Sequence, residues 1–227
     1  MSTPAEKKAS SLIVTPGILL SMTGVTGIVD AVSFLALGHV FTANMTGNIV
    51  FLGFSFAATP GLSVPGSLLA LLCFAGGAVG GGRIPVPQAR RAFAVEAILL
   101  LAAAVIALPL IAPYAVMTTA TYFVIATTAA AMGVRNAIVR KLAVPDLTTT
   151  VLTLTITGLA ADSVFAGGDN PRWQKRCAAV AVMLGGAATG AVLLRRSVAL
   201  TLAIAAAIAA VCALAARNVH RKEAQQQ

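Results

Sequence analysis

Residues 27–53 read GIVDAVSFLALGHVFTANMTGNIVFLG. Up to Leu37 the stretch is almost wholly apolar apart from Asp30, as a helix in hydrocarbon requires. From Phe41 onward its character changes. Taken as a helix, FTANMTGN puts Thr42 and Thr46 on one face and Asn44 and Asn48 on the opposite one. A segment polar all round at one end cannot lie against acyl chains, so it is expected to be buried in protein or to line a wet cavity. Gly47 and Gly53 offer break points for a short helical hairpin. The stretch therefore predicts one spanning helix followed by a segment that enters and leaves from the same side.

The rest of the chain has the same solvent. Of 227 residues, 58% are apolar and only 10% charged, and the mean hydropathy is +0.91. An average soluble domain carries about 25% charged residues, so this chain cannot clothe a water-facing surface. Soluble, disordered and disulfide-scaffold classes are excluded, and a polytopic membrane protein remains, with the lipid bilayer as its first partner. The net charge of +9 comes from 16 Lys and Arg against 7 Asp and Glu. These cations fall in short groups between apolar runs, with no aromatic interleaving and no basic stripe, so they read as orienting loop charges and predict no nucleic-acid partner. Cys73, Cys177 and Cys212 lie inside apolar segments at no metal-ligand spacing and read as small packing residues.

Eight apolar segments are legible: 12–37, 41–58, 67–82, 92–109, 114–131, 147–165, 177–194 and 197–216. If all eight cross with the N-terminus inside, eight of the sixteen cations fall outside and there is no bias. If the second and sixth re-enter, fourteen are cytoplasmic and only Arg195 and Arg196 are outside. The positive-inside rule selects the second arrangement, with both termini cytoplasmic. The sixth segment supports it: DLTTTVLTLTITGLAAD carries Thr148, Thr149, Thr150, Thr153, Thr155 and Thr157, then Gly158 as a turn. Lys7 and Lys8 precede a run too long for a signal peptide, so the first segment is read as an uncleaved span.

A shift of 106 lays Gly27-Ile-Val-Asp30-Ala31 over Gly133-Val-Arg-Asn136-Ala137. A shift of 109 lays FAGGAVGG, with Gly76, Gly77 and Gly81, over MLGGAATG, with Gly185, Gly186 and Gly190. Each of the latter contains Gly-x-x-x-Gly, which lets two membrane helices approach closely. The chain then divides into a polar N-terminus (1–11), two repeats (12–112 and 113–217) and a basic tail (218–227). Three crossings per repeat make the second copy enter from the opposite face, so the repeats are inverted, with the polar stretches expected to meet near the midplane as in many transporters.

Asp30 is the one acid well inside an apolar span. A carboxylate there costs about 2.5–3.5 kcal/mol on insertion scales and marks either function or a hydrogen-bonded anchor. Its repeat partner is Asn136. Glu96 and Asp162 lie near segment ends: Glu96 reads as an interfacial charge, and Asp162 as a partner for Arg135 or Arg140. Arg135, opposite Val29 in the repeat and beside Asn136, is expected to reach toward Asp30. His39 reads as an interface residue and His220 belongs to the tail. No Cys/His zinc set, no spaced Ser/His/Asp set and no phosphate-binding glycine loop is present, so neither an enzyme nor a cofactor is expected.

The segments GIVDAVSFLALGHVFTANMTGNIVFLG and TTTVLTLTITGLAAD resemble the signature of the YoaK family of bacterial membrane proteins over about residues 15–215, most specifically in Asp30-Ala31 and Asn44-Met45-Thr46-Gly47-Asn48. The resemblance implies a bacterial inner-membrane protein of about six spans and no particular substrate. The sequence thus leads to an all-α polytopic membrane protein of two inverted repeats, each with about three spans and a short polar broken or re-entrant segment. Its expected function is secondary transport or permeation of a small solute, proton- or cation-coupled through Asp30. Asn44, Thr46, Asn48, Asn136, Thr149, Thr150 and Thr153 would bind substrate or ion. A channel-like pore and a non-transporting scaffold, whose glycine faces would also suit a homo-oligomer, are the alternatives.

Overall fold

The structure, a computed structural model, describes residues 14–57, 61–110, 117–142, 152–170 and 172–216. Eight α-helices are found among them: α1 (Pro16–Ala36), α2 (Met45–Ser55), α3 (Val64–Gly82), α4 (Ala89–Ile106), α5 (Thr119–Leu142), α6 (Leu152–Ala161), α7 (Trp173–Leu194) and α8 (Val198–Ala215). Five of them, α1, α3, α5, α7 and α8, are long and apolar enough to cross a membrane. This is a polytopic helical membrane protein. Helix α4 has 18 residues, a length that suits a crossing, but it carries Arg90, Arg91 and Glu96. Helices α2 and α6, at 11 and 10 residues, rise only about 15–17 Å at about 1.5 Å per residue, half the hydrocarbon thickness.

Local chemistry starts these helices. Ser63 caps α3 by accepting the Gly66 N–H (3.1 Å), Ser197 caps α8 through Leu200 N–H (3.4 Å), and Asn44 caps α2 through Gly47 N–H (3.4 Å). Such caps satisfy donors that have no intrahelical partner, a larger matter in lipid than in water. Pro16 and Pro65 stand in first turns, where no N–H is needed.

Two apolar clusters define the two ends of the bundle. One joins the start of α1 (Val14, Ile18), the start of α4 (Ala89, Phe93), the end of α5 (Ile138, Leu142) and the end of α8 (Ala213, Ala216). The other joins the end of α1 (Ala36, Leu37), the start of α3 (Ala70), the end of α4 (Ala104, Ala107), the start of α5 (Val124, Ile125), the end of α7 (Leu194) and the start of α8 (Val198). Helices α1 and α5 are the most buried, while α3 and α7 lie at the periphery. The main packed pairs are α3 on α5, α7 on α1, and α4 on α8.

Glycines set the first two contacts. A Cβ on Gly77 or Gly81 of α3 would strike the backbone of Ala130 or Val134 of α5, and one on Gly133 would strike Phe74 and Ala78 of α3. Helices α7 and α1 meet the same way: Gly186 faces Gly24, Gly190 faces Ile28, and Gly27 faces Met183 and Ala187. Gly76 and Gly185, expected in this packing, turn away; nothing lies within 4 Å of a Cβ on either. One residue along a helix is a rotation of about 100°, which takes them off the contact face.

Candidate functional site

Beyond Leu37 the chain turns on two consecutive positive-φ residues, Gly38 (81°) and His39 (56°). His39 Nδ1 lies 3.0 Å from Gly61 O, and Gly38 packs on Met117 and Ser63, so the end of α1 shares one face with the starts of α3 and α5. The non-helical segment 37–44 then runs inward along α1. Its Ala43 N–H donates to Asp30 Oδ1 at 3.2 Å, six residues and about 9 Å below the end of α1. There α2 begins and runs back out, packed on α3.

Asn48 fixes this hairpin. Its Oδ1 accepts the Phe41 N–H (2.9 Å) and its Nδ2 donates to Phe41 O (2.5 Å), so one amide satisfies both polar backbone groups of a non-helical residue. Phe34, Phe41 and Phe51 pack over it, with Phe41 centred 5.0 Å from Phe34 and 5.7 Å from Phe51. Residues 42–44 precede the helix, so the expected two-faced arrangement of Thr42, Asn44, Thr46 and Asn48 on one helix does not occur. Neither Gly47 nor Gly53 breaks α2; the chain reverses before the helix instead.

The expected residues therefore occupy different settings. Asp30 and Asn48 are buried, whereas Asn44 and Thr46 are exposed. Asn136 has both side-chain amide atoms buried without a hydrogen-bond partner, and so does the Thr42 hydroxyl. Thr153 is exposed on α6, where Thr155 is the buried threonine; Thr149 and Thr150 lie outside the described residues. Gly158 does not turn the chain but sits within α6 against the Arg176 guanidinium. Helix α6 packs on α7 and α2 on α3, so the two short helices are not packed on each other as expected.

The buried charges differ most from expectation. Glu96 is not interfacial: it is fully buried, and its Oε1 lies 3.1 Å from Arg135 Nη1, also fully buried. Arg135 Nη1 donates to Met22 O (2.7 Å) and Nη2 to Thr26 Oγ1 (2.8 Å), which places the guanidinium about halfway along α1. One side chain thus ties α5 to α1 and α4. Asp162 pairs with Arg176 (2.7 Å) and not with Arg135 or Arg140; the same Nη1 donates to Gly158 O (2.6 Å), capping the last turn of α6. The helix bounds put the first pair at one depth. Glu96 is seven residues from the start of α4 and Arg135 seven before the end of α5, and those termini share one end of the bundle.

Thr26 and Asp30 are four residues apart on α1 and share its buried face. The centre consists of Asp30, latched to the entrance of α2, and the Glu96–Arg135 pair one turn below it. It places a carboxylate, an amide N–H and a buried cation where lipid would otherwise exclude all three.

The family model described as "Protein of unknown function (DUF1275)" matches residues 18–215. A transmembrane protein of Bacillus subtilis (strain 168), UPF0700 transmembrane protein YoaK, is 34% identical over 154 residues, which are 63% of this chain and 65% of that relative. The chain thus spans just under two thirds of that relative's length. No solved structure matches. The chain belongs to the DUF1275 family of transmembrane proteins.

Proposed function

We propose that this protein is a secondary transporter or permease of the bacterial inner membrane that moves a small solute, coupled to a proton or cation at Asp30. The observation behind this reading is the bond from Ala43 N–H to Asp30 Oδ1. It ties an ionisable group inside a span to the mouth of a half-length helix. A carboxylate accepts that bond in its charged form and is a poorer acceptor once neutralised, so occupancy of Asp30 sets how firmly the 37–44 segment is held. Broken helices at a buried charge are the usual seat of substrate and coupling ion in such proteins.

The reading takes the halves as inverted repeats with α2 and α6 re-entrant. Its support is a two-fold agreement in packing. The eight buried positions of α4 each match a buried position of α8, 109 residues on. The contact Gly77–Ala130 corresponds to Gly186–Gly24, and Gly81–Val134 to Gly190–Ile28, under the shifts of 109 and 106. Helices α1 and α7 then run parallel, as do α3 and α5. Rocking one repeat on the other along these glycine contacts alternates access. The end bearing Arg83, Arg90, Arg91, Arg140 and Lys141 faces the cytoplasm, as do both termini.

The test uses proteoliposomes holding a trapped pH dye, challenged with the solutes that raise the protein's melting temperature in a thermal-shift screen. Wild-type protein is expected to move protons when such a solute is added, and Asp30→Asn to abolish that movement. Solute flux that is the same in Asp30→Asn and moves no protons would replace coupled transport with a channel.

A further inference from the structure

The buried charges show which of them is left to exchange. Glu96 and Arg135 neutralise each other at 3.1 Å with both side chains fully buried. Asp30 has no ion-pair partner among the described residues. It meets instead an N–H donor, Ala43, beside the positive N-terminal end of α2. Of the titratable groups on the helices around it, α5 contributes Arg135 and α4, behind it, Glu96, while Cys212 of α8 bonds Ser21 nearer the start of α1. Helix α7 has no titratable group beyond Lys175, Arg176 and Cys177 in its first turns. A metal ion would need a shell of oxygens, and no group of three or more His, Cys, Asp or Glu occurs among the described residues.

Resting on the transport reading above, we infer that Glu96 is the resident counter-ion of Arg135, and that this pairing reserves Asp30 for a single exchangeable proton. The Asp30 carboxylate takes one proton from one face, becoming a neutral acid, and returns it to the other, so one positive charge moves per cycle. Glu96 touches no solute; it is a positioning residue. Its role is to keep the guanidinium from Asp30, which is one helical turn from the Thr26 hydroxyl that Arg135 already bonds. The matching positions of the other half, Val29 and Ala205, are apolar and buried, so the bundle packs the same places without an ion pair. That asymmetry suits a device for charge and not a requirement of the fold.

Infrared absorption of protonated carboxyl groups in the purified, lipid-reconstituted protein tests this without any solute. Wild type is expected to show one such band that Asp30→Asn removes. Glu96→Gln is expected to remove the same band, because Asp30 then stays ionised against Arg135. Arg135→Gln should keep it and add a second, from the unpaired Glu96. Glu96→Gln/Arg135→Gln should restore the wild-type single band, a rescue that a merely structural role would not produce. If Glu96→Gln fails to fold, the Arg135→Gln and double variants decide the matter. An Asp30 band unmoved by Glu96→Gln, no second band in Arg135→Gln, or loss of the Asp30 band on adding sodium at fixed pH would overturn the inference. These bands as expected, beside a failed solute-driven proton assay, would overturn the transport reading alone.

Discussion

Asn48 and its neighbours separate polar residues that hold the fold from those that face outward. Its amide occupies the N–H and C=O of Phe41 together, so Asn48→Ala strands two half-buried backbone groups, each costing up to about 1–3 kcal/mol. The expected result is a large fall in the melting temperature of the detergent-purified protein, whereas Thr46→Ala, at an exposed position, leaves it nearly unchanged. Asn44→Ala should fall between them, losing a cap worth about 0.5–2 kcal/mol. The sequence showed that FTANMTGN could not face lipid. It did not show which polar group serves backbone, because side chains alternate differently in a helix and in the irregular chain that 37–44 becomes. Asp30 was legible as a lone acid in an apolar run. Glu96 was not, since a charge near a segment end looks interfacial until a partner from another helix is found at the same depth.

At the scale of elements, the spacing of small residues gave the contact pairs Gly77–Gly81 and Gly186–Gly190, with one glycine too many in each copy. Of each Gly-Gly pair in α3 and α7, the second residue meets the neighbouring backbone and the first faces away. A sequence without coordinates cannot distinguish two adjacent glycines, because each begins a pattern of small residues four apart. The difference is measurable. Gly133→Ala and Gly27→Ala place a methyl where the backbones of α3 and α7 already stand, and should lower the melting temperature sharply or abolish folding. Gly76→Ala and Gly185→Ala meet open space inside a helix and should be neutral or stabilise by up to about 1 kcal/mol. Loss of stability in the second pair equal to that in the first would place the helix contact on the wrong face. Arg176 shows the same limit of sequence: grouped with loop cations, it proved to be mostly buried, capping α6 through Gly158 O.

For the whole molecule, the distribution of charge and the return of α2 toward the end it came from make one statement about topology. Placing fourteen cations on one side would require two of eight apolar segments to turn back, and the inward run of 37–44, stopped at Asp30, is a geometry that suits the first of these turns. That the chain crosses the membrane several times was legible because the bilayer fixes helix length; the route of the 37–44 turn was not, because it depends on a hydrogen bond between residues 13 apart. If both short helices re-enter, Arg90 and Arg196 lie on opposite faces of the membrane, and Val64, at the start of α3, lies with Arg196. If all eight segments cross, Arg90 and Arg196 share a face and Val64 is opposite both. All three positions are exposed. In a background with Cys73, Cys177 and Cys212 replaced by alanine, single cysteines there are expected to react with a membrane-impermeant maleimide as follows: positions 64 and 196 in intact spheroplasts, position 90 only after the membrane is opened. Labelling of 90 and 196 from the same side would remove the re-entrant hairpins and the opposed halves together, since an even number of crossings per half leaves the two copies facing the same way.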